Sequence, residues 1–201
     1  MATRVRLHIA TANPKKVEEL SRLVPDWVEL VPRPAHVGEV EETAPTLEGN
    51  AYLKAVEVAN AVRDWAIADD TGLFVDALDG APGVHSARYA GPGCDDAANR
   101  AKLMAALTPS MPRGATFRTV VALVHSSGEM HHLVGECRGS IATVESGGNG
   151  FGYDSVFIPA EGDGRTFAEM PPGDKDVVSH RRRAMEQLPG LLARIFGSPT
   201  A

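Results

Sequence analysis

At 201 residues with a 43% hydrophobic fraction, the chain has enough material for one large domain, or one domain of two lobes, with a real core. A net charge of −6 excludes an extended nucleic-acid surface, which needs a basic face, yet leaves room for a small anion in a local basic pocket. Two cysteines, Cys94 and Cys137, are too few for a disulfide framework and lack metal-ligand spacing. No apolar run approaches the roughly 20 residues needed to span a bilayer. No signal peptide is read at the start, so a cytoplasmic protein with reduced thiols, no membrane partner and no nucleic-acid partner is expected.

The predicted elements begin with a strand over residues 4 to 11, where Val5, Leu7 and Ile9 alternate with Arg6, His8 and Ala10. Asn13-Pro14 then reads as a helix cap followed by a first-turn proline, with Val17, Leu20, Leu23 and Val24 at helical spacing and Pro25 as the stop. Val28 to Val31 is a short strand, and residues 32 to 45, rich in proline and acid, form an exposed loop. A second helix is expected from Leu47 to Arg63, with Ala51, Ala55, Val58, Ala59 and Val62 on its apolar face. Trp65 to Asp69 is a strand, and Leu73 to Val75 another. A turn at Gly80–Gly83 and a helix over Asp95–Leu107 follow. Thr116–His125 and Met130–Cys137 read as a hairpin turning at Ser126-Ser127-Gly128, with a further strand at Ile141–Val144. Ser155–Ile158 is a strand, and a last helix is expected over Asp176–Leu188. The pattern predicts an α/β fold with a mixed sheet.

Five polar segments stand out. In Ile67–Leu73, Asp69 and Asp70 end an apolar run, and carboxylates at a sheet rim suit Mg²⁺, a hard cation that usually arrives with phosphate. Thr11, Ala12, Asn13, Pro14, Lys15 and Lys16 sit where a strand feeds a helix N-terminus, a place that favours anions. Lysines in a first helical turn oppose the macrodipole, and a triphosphate would offset them. Glu41-Glu42-Thr43 lies in the acidic loop, where Glu41 is the candidate to complete a Mg²⁺ site with Asp70. Lys54 and Asn50, four apart, share a helix face. Phe151, Gly152, Tyr153 and Asp154 follow a Gly-rich loop; if extended, both aromatics point one way and make a stacking platform, with Asp154 beside it. Lys175, Ser179, His180 and Arg181 open the densest basic cluster. At about 100° per residue His180 lies about 140° from Lys175, so the helix is expected to begin near Asp176 with Lys175 in the loop before it.

In order and spacing these segments, together with Ala81–Tyr89, resemble the inosine triphosphate pyrophosphatase family, whose members act on non-standard purine nucleoside triphosphates. The resemblance covers essentially the whole chain, read as a single pyrophosphatase domain over residues 1–201. It implies hydrolysis of ITP, dITP or XTP to the monophosphate and pyrophosphate, a Mg²⁺ cofactor and a homodimer. It also implies an elongated mixed sheet with flanking helices and two lobes around a nucleotide-binding cleft. Carried over by position, Asp70 is the general base and a metal ligand, and Glu41 is the other metal ligand. Thr11 to Lys16 bind the triphosphate together with Lys54, Thr71 contacts the nucleotide, Phe151 to Asp154 hold the base, and Lys175, His180 and Arg181 complete recognition. Ala12 stands where the family usually has Gly, Pro14-Lys15 replaces a small residue or Gly, and Thr71 replaces the commoner Ser but keeps the hydroxyl. The residues by themselves support γ-phosphate cleavage equally well, and two rivals follow: a related enzyme for modified pyrimidine or methylated nucleotides, and a nucleotide sensor without turnover.

Overall fold

The structure, a computed structural model, describes residues 4–11 and 13–197. Ala12, expected in the triphosphate loop, lies outside the described residues.

The first elements form where their periodicity places them. Strand β1 (Val5–Ile9) buries Leu7 and Ile9 and exposes Arg6. Helix α1 (Pro14–Leu23) starts on Asn13, whose Oδ1 accepts the N–H of Lys15 at 3.0 Å and of Lys16 at 3.3 Å. Strand β2 (Val28–Val31) precedes the irregular acidic loop. Helix α2 (Leu47–Val62) is capped by Thr46, which accepts the Gly49 N–H, and it fully buries Ala51, Ala55, Val58 and Ala59.

Strand β3 (Trp65–Val75) corrects the sequence reading. The run does not stop at Asp69-Asp70 but continues unbroken through Thr71 and Gly72. Both acids stay in a buried strand because each has a lysine within reach: Lys16 Nζ is 3.2 Å from Asp69 Oδ2, and Lys54 Nζ is 2.9 Å from Asp70 Oδ1. What ends at this level is β1, whose pairing with β3 runs to Ile9 opposite Ile67. Gly72 is required by closeness, since a Cβ there would meet the Gly83 carbonyl oxygen at 2.6 Å.

The chain continues through β4 (Pro82–Gly83), α3 (Asp96–Ala106), β5 (Gly114–His125) and β6 (Met130–Ile141), with the expected turn joining β5 to β6. Ile141 closes β6 and opens no new strand. Strand β7 (Phe157–Pro159) starts later than predicted, because Asp154–Val156 coil into a 3₁₀ turn. The single helix expected over 176–188 is replaced by α4 (Pro172–Val178), α5 (His180–Met185) and α6 (Leu188–Phe196). Ser179 is the break: its ψ of 152° is extended, and its Oγ accepts the Arg182 N–H at 3.2 Å, as a helix-starting serine does. Lys175 therefore lies inside a helix, not in a loop before one.

Among the described residues seven strands form one mixed sheet in the order β2-β1-β3-β5-β6-β7, with β4 paired to β3. β1 is parallel to β2 and β3, while β4 and β7 run antiparallel to their partners β3 and β6. The α/β class with flanking helices is as predicted. By chain segments there are two compact units: the first takes residues through Asp70, Thr119–Gly135 and those from Arg183 onward, the second Thr71–Arg118 and Glu136–Arg182. Each has its own core. Leu7, Leu20, Ile67, Leu123 and Leu188 belong to the first; Leu73, Leu103, Phe117, Phe157 and Phe167 belong to the second.

Candidate active site

In the first unit, strand alternation sends Asp69 and Asp70 to opposite faces of β3, and a different helix meets each. Lys16, in the first turn of α1, takes Asp69; Lys54, midway along α2, takes Asp70. Lys54 also reaches Glu42 Oε1 at 2.8 Å, so one ammonium joins the acidic loop to the strand. Asp69 is fully buried and Asp70 is 5% exposed. Burial is the strongest influence on Asp70 and pushes its ionisation above the usual carboxylate range; Glu42 adds to this, while Lys54 and Lys16 oppose it. Burial alone would lower the Lys54 ammonium, but Asp70, Glu42 and Asp69 together outweigh it and hold Lys54 above the usual lysine value. Asp70 Oδ2 is buried with no hydrogen-bond partner among the described residues.

The other predicted residues of this unit divide. Thr11 is buried and its Oγ1 accepts the Asn13 N–H at 3.2 Å, which shapes the turn into α1. Asn13, Pro14 and Lys15 are exposed at the helix start. Glu41, the expected metal ligand, lies on the exposed side of the loop, and the acid that the structure brings to Asp70, through Lys54, is Glu42. The loop is fastened by Asn50, whose Oδ1 accepts the Ala44 N–H at 2.9 Å. Gly49 allows the same approach, since a Cβ there would meet Ala44 Cβ at 2.5 Å.

In the second unit the predicted residues gather around two buried cations. Lys175 Nζ is 2.7 Å from Asp154 Oδ2 and 5.3 Å from the centre of the Phe151 ring. Arg181, 2% exposed, donates from Nη2 to Thr71 Oγ1 at 3.3 Å, and its guanidinium lies 5.9 Å from the same ring. The break at Ser179 makes this possible, because it frees α5 from the helical phase of Lys175. The His180 ring stacks on Phe117 with centroids 4.5 Å apart and planes 17° from parallel.

The stacking platform is corrected. Residues 150–153 are not extended: Gly150 (φ +74°) and Gly152 (φ +60°) are left-handed and reverse the chain. Tyr153 turns into the core, 5% exposed, where its hydroxyl donates to the Ser86 carbonyl at 2.9 Å and burial pushes its phenol up. Phe151 alone of the pair stays half-buried beside the cations. Asp154 also accepts the Phe151 N–H at 2.8 Å, and a side chain at Gly150 would collide with its carboxylate.

The profile of the Ham1 family matches residues 7–190. The chain belongs to the Ham1 family. It is 44% identical to the dITP/XTP pyrophosphatase of Mycobacteroides abscessus, over 95% of this chain and 96% of that protein. It is 47% identical to the dITP/XTP pyrophosphatase of Porphyromonas gingivalis, over 93% of this chain and 97% of that protein. The structure of a HAM1 protein from Coxiella burnetii aligns with a TM-score of 0.86 at 36% identity, covering 94% of this chain and 99% of that one. The Staphylococcus aureus Ham1 protein aligns with a TM-score of 0.84, also at 36% identity and with the same coverage.

Membership in the Ham1 family bears out the resemblance read from the sequence. Within this Ham1 chain, sequence reasoning gave too little weight to Glu42, Asp69 and Asn50. The signal for Asn50 was present in its spacing from Lys54. Glu42 had none that set it apart from its neighbour Glu41, because loop acids carry no periodicity.

Proposed function

We propose that this chain hydrolyses ITP, dITP and XTP to the nucleoside monophosphate and pyrophosphate, with Asp70 as general base. The observation that supports this most is Asp70 itself: a buried carboxylate, raised in pKa, gripped on one oxygen by Lys54 and with the other oxygen buried and without a hydrogen-bond partner among the described residues. A base of this kind is matched to drawing a proton from water near neutral pH. Water adds at the α-phosphorus, Asp70 takes its proton, and the bond to the bridging oxygen breaks to release pyrophosphate. Lys16 and Lys54 offset charge on the leaving group, while Phe151, Lys175, His180 and Arg181 serve the base and its neighbouring groups. The names of the close relatives agree with this reaction class.

The donors suit Mg²⁺. Glu42, Asp69 and Asp70 outnumber Lys16 and Lys54, leaving the group net negative. Among the described residues no three His, Cys, Asp or Glu are arranged as a metal cage. Mg²⁺ commonly needs only one or two carboxylates, with waters and substrate phosphates completing it. Asp70 and the loop acids Glu41 and Glu42 would hold it, and when bound it would neutralise phosphate charge and acidify water. The homodimer is carried over from the family resemblance, and the cytoplasmic location from the sequence reading of two reduced thiols and no membrane-length apolar run. No helix among the described residues is long and apolar enough to cross a membrane.

The test is ³¹P NMR of the products from ITP and, in parallel, ATP with Mg²⁺. Monophosphate and pyrophosphate from ITP, with little from ATP, are expected; diphosphate with inorganic phosphate would remove the assigned cleavage site. Asp70 also carries a pH prediction. Lys54 pulls its pKa down, so Lys54→Met raises it further, and the acid limb of kcat/KM must move to higher pH. A limb that stays in place or moves to lower pH would separate Asp70 from the base role.

A further inference from the structure

The loop that holds Phe151 is itself held by a helix to which the functional reading gives no part. Both polar backbone atoms of Gly152 are taken by side chains one turn apart on α3. The Gly152 N–H donates to Asp96 Oδ2 at 2.8 Å, and the Gly152 carbonyl accepts from Arg100 Nη1 at 2.9 Å. Asp96 and Arg100 are four residues apart and so share a helix face. Arg100 Nε also meets Glu145 Oε2 at 2.8 Å, and that same oxygen accepts from Ser155 Oγ at 3.0 Å. One guanidinium thus ties the segment before the loop, the loop and the residue just after it.

Ordinary structural duties do not account for this pair. The N-terminus of α3 is already capped by Asp95, which accepts the N–H of Ala97 and of Ala98, so Asp96 is not needed as a cap. Neither side chain belongs to a hydrophobic cluster. Asp96 is exposed and the Arg100 side chain 20% exposed, so their ionic contacts add little to global stability. What they fix is a left-handed glycine, the residue type with most conformational freedom to lose.

We infer that Asp96 and Arg100 are positioning residues for nucleobase recognition. By clamping the Gly152 peptide at both ends, they set where Phe151 sits relative to Lys175 and Arg181. This rests on assigning the 151–154 loop to the base.

The test is steady-state kinetics of Asp96→Ala and Arg100→Met with ITP and ATP, with Asp96→Asn as the conservative partner. A misplacement of about 1 Å can cost about 10²-fold. KM for ITP is therefore expected to rise by roughly 10-fold or more, with kcat falling far less and the preference for ITP over ATP narrowing. Asp96→Asn keeps an acceptor oxygen and recovers most of the loss. An unchanged ITP preference, or a fall in kcat at constant KM, overturns the assignment. If the unaltered protein fails to turn over ITP, the functional reading falls and takes this one with it; turnover by the unaltered protein with indifferent variants overturns the clamp alone.

Discussion

Replacing Asp70 with Asn is expected to lower kcat by roughly 10²–10⁴-fold, the span general-base catalysis supplies, while ITP still binds. The amide keeps the shape and can still accept from Lys54, so the site stays assembled; it cannot take a proton from water. The same substitution has an opposite effect on stability. The net pKa of Asp70 is raised even with the Lys54 attraction included, so the folded state holds the proton more tightly than the unfolded chain. The stability tied to that proton is full below the unfolded carboxylate value and is lost as pH rises through the folded value. Above the folded value the wild type has lost it, and the never-charged Asn variant has not. Its Tm should therefore gain on that of the wild type as pH rises through the folded value, with the gap closing on acidification. Thermal melts across pH, run beside single-turnover assays, read both effects. Substantial residual turnover would remove Asp70 from the base role, and a Tm difference that does not grow in favour of the Asn variant as pH rises would contradict the burial argument.

The elements legible in the sequence were those fixed by local physics. Asn13-Pro14 starts α1 because cap and proline act within one turn, and Ala51, Ala55, Val58 and Ala59 mark the buried face of α2 by period alone. The misreadings share a different cause. Asp69-Asp70 looked like a strand end because acids are costly inside a sheet, and only the arrival of Lys16 and Lys54 from two distant helices reverses that cost. Ser179 looked like mid-helix because no proline or glycine marks a stop beside it; its break shows in its extended backbone and in the hydroxyl bond to Arg182. The paired aromatics at Phe151 and Tyr153 looked like one surface because period-two reasoning assumes extended backbone, which two left-handed glycines cancel. At the site, residue types were readable, but partner choice was not. Glu41 and Glu42 are equivalent in sequence, and only the fastening of the loop through Asn50 and Gly49 brings Glu42 to Lys54.

Asp154→Ala is expected to produce the largest loss of stability, about 3–5 kcal/mol, the usual consequence of leaving one member of a buried ion pair behind. Asp154 and Lys175 side chains are each 6% exposed and meet at 2.7 Å. Removing the carboxylate takes its buried anion from an ammonium that lies 5.3 and 5.5 Å from the centres of the Phe151 and Phe167 rings, and also removes the bond from the Phe151 N–H to Asp154. Ring faces attract a cation, but by about 0.5–2 kcal/mol, too little to replace a carboxylate. Adding Lys175→Met to Asp154→Ala removes the opposing charge as well, so the double variant should recover a clear part of the stability lost by the single one, although the bond from the Phe151 N–H to Asp154 is not restored. Urea unfolding of both single variants and the double variant measures the coupling directly. Recovery in the double variant would locate the cost in the uncompensated charge. Additive losses would place it instead in the loop bond to Phe151, and the ion pair would then be incidental to the fold. Base recognition separates the two residues further. If Lys175 serves the base as proposed, the double variant regains stability without regaining its preference for ITP over ATP, because the cation that the site presents is gone whichever way the fold is rescued.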